Sequence, residues 1–188
     1  SNQTLYVADN YAGGRGVVRL NGGRLAANNL FQTGTSAVAV VYFNGGVFEP
    51  RATAALGGAL LLTSGAGGAI FDGPQGVAYT RGATLTHDAA LGAAPDGGLV
   101  KLGAGTLVVT NAQAYTGPTV ISNGTLAAVA PAGAVLSAGT LVLGGAPGTE
   151  VGLSLTADRA RFLSGGAAQV NGDLVLGKAA VALVYRET

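Results

Sequence analysis

The sequence predicts an all-β chain wound into a parallel β-solenoid. Three features predict it: a recurring Gly-x-apolar triplet, short alternating runs after each triplet, and a composition unsuited to helices. Of 188 residues, 33 are Gly, against a usual share of roughly 7%. Six Pro and many Gly-containing turns interrupt any helical run. Only 10% of residues are charged and 6% aromatic, while 48% are hydrophobic, so a core of Ala, Val and Leu is expected.

The triplet appears as Gly23-Arg24-Leu25, Gly46-Val47-Phe48, Gly68-Ala69-Ile70 and Gly105-Thr106-Leu107. It returns as Gly124-Thr125-Leu126, Gly139-Thr140-Leu141 and Gly172-Asp173-Leu174, with a looser copy at Gly82-Ala83-Thr84-Leu85. Counting Leu5, the apolar anchors fall at Leu5, Leu25, Phe48, Ile70, Leu85, Leu107, Leu126 and Leu141, an approximate period of about 20 residues. One coil cannot bury its inward face alone, whereas coils stacked at about 4.8 Å align like residues and share backbone bonds. About eight coils are expected, a rod on the order of 40 Å long at that spacing.

Each run should alternate, with Leu107 and Val109 inward and Thr106 and Val108 outward. Leu141 and Leu143 follow the same rule. Gly supplies the left-handed corners, and Asn in Asn21-Gly22, Asn44-Gly45, Asn123-Gly124 and Asn171-Gly172 is expected to share that duty. Asn-Gly also signals two-residue hairpins, so an antiparallel sheet is the rival. The period near 20, rather than the 8–12 of sandwiches and barrels, favours the solenoid. The whole chain, 1–188, reads as one segment. Gly144–Gly148 is expected to be a loop, and Thr156–Leu163 a short helix or irregular coil.

Several functions are disfavoured on composition. A formal net charge of +1 with ten scattered Lys and Arg gives no clustered basic face for nucleic acid. The chain has no Cys, so it has no disulfide, thiolate metal site or Cys nucleophile. Ser1–Asn10 lacks a signal-peptide pattern, and Ala37–Phe43, the longest apolar run, is too short to span a bilayer. The missing initial Met fits a piece of a longer chain.

Residues 99–126 carry an ordered pattern of a dozen positions: Lys101, Gly103, Gly105, Thr106, Leu107, then Tyr115, Thr116, Gly117, Thr119, then Gly124, Thr125, Leu126. This stretch resembles the passenger-associated repeat of bacterial autotransporters. Ala114 stands where that repeat often has Asn, and Pro118 where it often has Gly. The resemblance implies a right-handed parallel β-helix, the passenger of a type V secreted protein of a Gram-negative bacterium. It implies secretion or surface display, with a C-terminal outer-membrane β-barrel as partner and anchor. It further implies a role for the repeat in passenger transport and folding, and it brings no catalytic residues.

Enzymatic chemistry is weakly signalled. His87 is the only His, beside Asp88, with Thr84 and Thr86 as neighbouring hydroxyls and no nucleophile elbow. The nine acids are spread singly, and Glu49 above Asp72 is the best stacked pair for a carbohydrate-active enzyme. No metal or cofactor motif recurs: Gly67–Asp72 resembles a calcium nonapeptide only once, and Gly13-Gly14-Arg15-Gly16 lacks the rest of a phosphate loop. Arg15, Arg19 and Arg24 form the densest basic cluster, suited to an acidic polysaccharide or lipopolysaccharide. Tyr6, Tyr11, Tyr42 and Tyr79 are candidate adhesive tyrosines. The leading expectation is therefore a non-enzymatic stalk that supports transport, folding and display of an effector. The alternative is an adhesive or self-associating module that meets host or neighbouring cell surfaces. A β-helix carbohydrate enzyme is the third reading.

Overall fold

A computed structural model describes residues 3–8, 12–34, 37–56 and 59–128, followed by the strands Ala134–Ser137, Leu141–Leu143, Glu150–Leu155, Ala168–Val170, Leu174–Leu176 and Ala180–Leu183. Every strand pairing is parallel, which removes the hairpin rival. The chain is a β-solenoid of three strands per coil, visiting three stacked ladders in turn.

The first ladder stacks Arg15–Leu20, Val38–Phe43, Leu61–Ser64 and Leu85–His87. An isolated parallel bridge from Thr86 to Ala114 continues it. The second stacks Arg24–Ala27, Val47–Pro50, Ala69–Asp72, Leu99–Leu102, Thr119–Ile121, Leu141–Leu143 and Leu174–Leu176. The third stacks Ala54–Ala55, Ala78–Arg81, Thr106–Val109, Gly124–Ala128, Glu150–Leu155 and Ala180–Leu183. Two further strand pairs, Thr4–Ala8 with Asn29–Gln32 and Ala134–Ser137 with Ala168–Val170, complete the order.

The expected count of about eight coils is too high. The longest ladder has seven strands, and five of them lie before residue 128. The overcount arises because the sequence anchors do not form one row. Leu25 faces Phe48 in the second ladder. Leu85 sits on Leu62 in the first, and Leu107 on Leu126 in the third. Ile70 points away from the row, since Phe71 is the residue stacked on Phe48. A Gly-x-apolar triplet marks a corner, and each coil has several.

Alternation holds where it is described: Leu107 and Val109 are buried, while Thr106 and Val108 are half-buried. The core is less aliphatic than composition suggests, because the scarce aromatics gather inside. Phe71 lies 5.3 Å from Phe43 and 6.0 Å from Phe48, which lies 5.4 Å from Tyr79. These four rings come from all three ladders, and none is more than 1% exposed. Rings span the bore where Leu alone would leave a gap.

The corners are left-handed at Gly only; no described non-Gly residue has positive φ. Asn acts instead through its side chain. Asn44 Oδ1 accepts from the Gly67 N–H of the next coil at 2.8 Å, and Asn123 Oδ1 from Gly124 N–H at 2.8 Å. Asn171, Tyr11, Gly139, Thr140, Gly172, Asp173, the 144–148 loop and the 156–163 stretch lie outside the described residues. No helix among the described residues is long and apolar enough to cross a membrane.

Candidate functional site

Residues 99–128 form two successive rungs, each with a strand in the second ladder and one in the third. Lys101 faces inward between Phe71 and Ile121 and is only 1% exposed. Its Nζ donates to the carbonyls of Leu102 at 2.5 Å, Gly103 at 2.7 Å and Asn123 at 3.3 Å. The ammonium thus ties the corner of its own coil to the corner of the next. Burial lowers its pKa to about 8, against a smaller opposing pull from Asp72.

Gly103 and Gly124 occupy those two corners at φ +70° and +68°. A Cβ on Gly124 would lie 2.4 Å from the carbonyl oxygens of Gly103 and Gly105, so the coils approach as closely as they do only without side chains there. Gly105 N–H donates to the Gly73 carbonyl at 2.8 Å. Thr106 pairs with Thr125, and Leu107 with Leu126, both leucines being 1% exposed or less.

Tyr115 and Thr119 are both 1% exposed, and their hydroxyls meet at 2.5 Å inside the bore. Burial pushes the Tyr115 pKa up to about 12, opposed by the Thr119 hydrogen bond and Arg81. The neighbouring Thr116 and Gly117 engage a carboxylate that sequence reasoning left among the scattered acids. Asp96 Oδ1 accepts from Gly98 N–H at 2.7 Å and Gly117 N–H at 3.1 Å. Its Oδ2 accepts from Thr116 N–H at 2.9 Å and meets His87 Nδ1 at 2.9 Å. Burial would raise the Asp96 pKa, but the Thr116 N–H, His87 and the Gly98 and Gly117 N–H groups together hold it below the usual carboxylate range. The signal that points to Asp96 is the tyrosine-threonine-glycine turn, whose Thr116 and Gly117 N–H groups take their acceptor from one coil away.

His87, Asp96 and Thr116 thus meet, where Thr84 and Thr86 were the hydroxyls expected near the imidazole. Thr86 instead bonds the Leu62 carbonyl and Thr84 the Ala112 carbonyl. The trio does not have the geometry of a nucleophilic triad. Thr116 Oγ1 and Asp96 Oδ2 both approach the same ring nitrogen, Nδ1, while Nε2 meets the Gly92 carbonyl at 3.2 Å. A hydroxyl nucleophile needs one ring nitrogen and its orienting carboxylate the other. Asp88 is engaged elsewhere, accepting from Tyr42 Oη at 2.7 Å and from Ala90 N–H at 3.0 Å, where it caps a short turn of 3₁₀ helix, Ala89–Leu91.

Glu49 and Asp72 come together as the stacking argument proposes, but as an ion-pair network. Arg24 Nη1 lies 2.5 Å from Glu49 and 2.7 Å from Asp72, and Arg51 binds the other Glu49 oxygen at 2.7 Å. Both carboxylates are thus engaged by guanidinium groups and do not face each other across an open substrate position. Arg24 is thereby separated from the basic cluster, leaving Arg15 and Arg19 on one exposed strand face. Tyr79 is buried and donates to Asn29 Oδ1 at 3.0 Å, which removes it from the adhesive candidates, whereas Tyr6 is 56% exposed. Among the described residues no group of three or more His, Asp or Glu side chains could hold a metal.

A parallel solenoid whose repeat is consumed in joining one coil to the next defines a structural coil module. Residues 99–128 match the model of the passenger-associated-transport-repeat family. No curated protein and no solved structure matches the chain.

Proposed function

We propose that the chain is a β-solenoid stalk segment, without enzymatic activity, of a secreted or surface-displayed autotransporter passenger. Its work is mechanical: it carries an effector or adhesive region away from the Gram-negative cell and assists passenger transport and folding. Its partner is the C-terminal outer-membrane β-barrel of the parent protein. One observation supports this above others. The twelve motif positions of residues 99–126 engage neighbouring coils through core packing, corner glycines and hydrogen bonds, leaving no assembled reactive centre.

The test is deletion of residues 99–126 from the full-length protein in its own bacterium. Surface passenger is then counted by its accessibility to added protease. Loss of surface passenger supports the transport and folding role. Normal display, with loss of attachment or clumping, makes the segment a recognition surface instead.

A second reading, adhesion, has one specific observation behind it. The outer side of the first ladder aligns Val17, Val40 and the 56%-exposed Leu61 in one row. Arg15 flanks that row beside the 48%-exposed Val38, and Arg19 flanks it beside Tyr42. A mixed arginine, tyrosine and aliphatic face suits the acidic sugars of a cell surface. Changing Arg15 and Arg19 to Ser should abolish binding to such a glycan without altering display. Unchanged binding rejects this reading.

A further inference from the structure

Arg81 is the last residue of the third-ladder strand Ala78–Arg81, and its side chain is wholly enclosed at 0% exposure. Its Nε, Nη1 and Nη2 have no hydrogen-bond partner among the described residues. A guanidinium carries five N–H donors and no acceptor. Its surroundings offer little. The Phe71 ring centroid is 5.9 Å from Cζ. The Tyr115 hydroxyl is already engaged with Thr119. The next inward position of the ladder is Val109.

No carboxylate among the described residues reaches it: the ion pairs formed there involve Arg24, Arg51 and His87. Lys101, the other buried cation, makes the contrast plain, because three carbonyls surround its ammonium. Burial lowers the Arg81 pKa to about 10, so the group is still a cation at neutral pH. A buried cation with every donor orphaned is among the costliest arrangements a core can hold. Its donors point to a negative ligand that the described residues do not supply.

We propose that Arg81 forms an internal anion site that encloses one chloride-sized monovalent anion in the bore beside Phe71 and Tyr115. The enclosure selects the ligand. An anion there gives up its hydration shell, which chloride or bromide does far more readily than sulfate or phosphate. It enters as the coil closes during folding and leaves only when the coil opens. The site therefore belongs to assembly of the solenoid, not to exchange with solvent in the folded rod.

The test refolds the full 188-residue chain at constant ionic strength in sodium chloride, sodium bromide or sodium gluconate, for the parent protein and Arg81→Met. In the parent, chloride and bromide should raise the unfolding midpoint above that in gluconate. An ion at ten times its dissociation constant raises the folding equilibrium constant about elevenfold. The variant should show no such difference. Crystals grown in bromide should place an anomalous peak within about 3.5 Å of the Arg81 nitrogens. Equal midpoints in all three salts, or the same anion response in Arg81→Met, would overturn the proposal. So would a density peak at the Arg81 nitrogens without anomalous signal in the bromide crystals, which would be water. Should Arg81→Met fail to fold, the bromide peak in the parent protein decides the question.

Discussion

At the scale of single residues, the polar groups of the bore matter more than their number. Asp96 gathers three backbone N–H groups and the His87 ring. Asp96→Asn keeps the shape but removes the charge and turns one acceptor into a donor. It should cost roughly 3 kcal/mol by urea unfolding, because several buried donors lose their acceptor at once. The same contacts set an acid dependence. A carboxyl held below its ordinary pKa in the fold contributes stability above about pH 3.9, the unfolded value. That contribution disappears as pH falls through the lower folded value. As pH falls below about 4 the parent chain should therefore lose stability more steeply than Asp96→Asn, and parallel slopes would rule out this role for Asp96. None of this was legible from the acid positions alone, since two of the partners of Asp96, Thr116 and Gly117, lie about 20 residues further along, in a turn whose own signature is a tyrosine.

At the scale of the strand and its corner, much was legible. Glycine triplets marked corners, alternation marked the inward residues Leu107 and Val109, and the repeat motif marked two adjacent rungs. Assignment of anchors to ladders was not legible. Leu85 and Leu107 follow similar signals but sit on different faces, since nothing local tells a chain which of three corners it is turning. Nor was the role of Asn: its side chain, not a left-handed backbone, ties Gly67 to the coil before. The corner geometry makes a sharp prediction. Gly124→Ala places a methyl against two carbonyls at a backbone angle that alanine resists. It should lower stability by roughly 1–3 kcal/mol, read as a drop in unfolding midpoint. Ala104→Ser, at a corner position with no such constraint, is the control and should change little.

At the scale of the whole molecule, each coil touches its neighbours and little else. Stability in such an array is a sum of coil terms and nearest-neighbour contacts. Leu126→Ala, emptying a 0%-exposed position stacked on Leu107, should cost roughly 2–5 kcal/mol. The loss should also be local. Hydrogen exchange should quicken in the strands around Thr106–Val109 and Gly124–Ala128 and fade within about two coils. Uniform quickening along the chain would mean that the rod melts as one unit.

The spacing of the second ladder also reaches beyond stability. From Phe71 to its partner Lys101 the chain spends 30 residues, and from Lys101 to Ile121 only 20, yet the rungs stay in register. The surplus sits outside the strands and includes the short turn Ala89–Leu91. The chain therefore keeps its architecture separate from its outline. Strand positions are fixed like the treads of a stair, while the landings between them can lengthen without moving a tread. An outline can therefore be redrawn between treads while the staircase beneath stays the same.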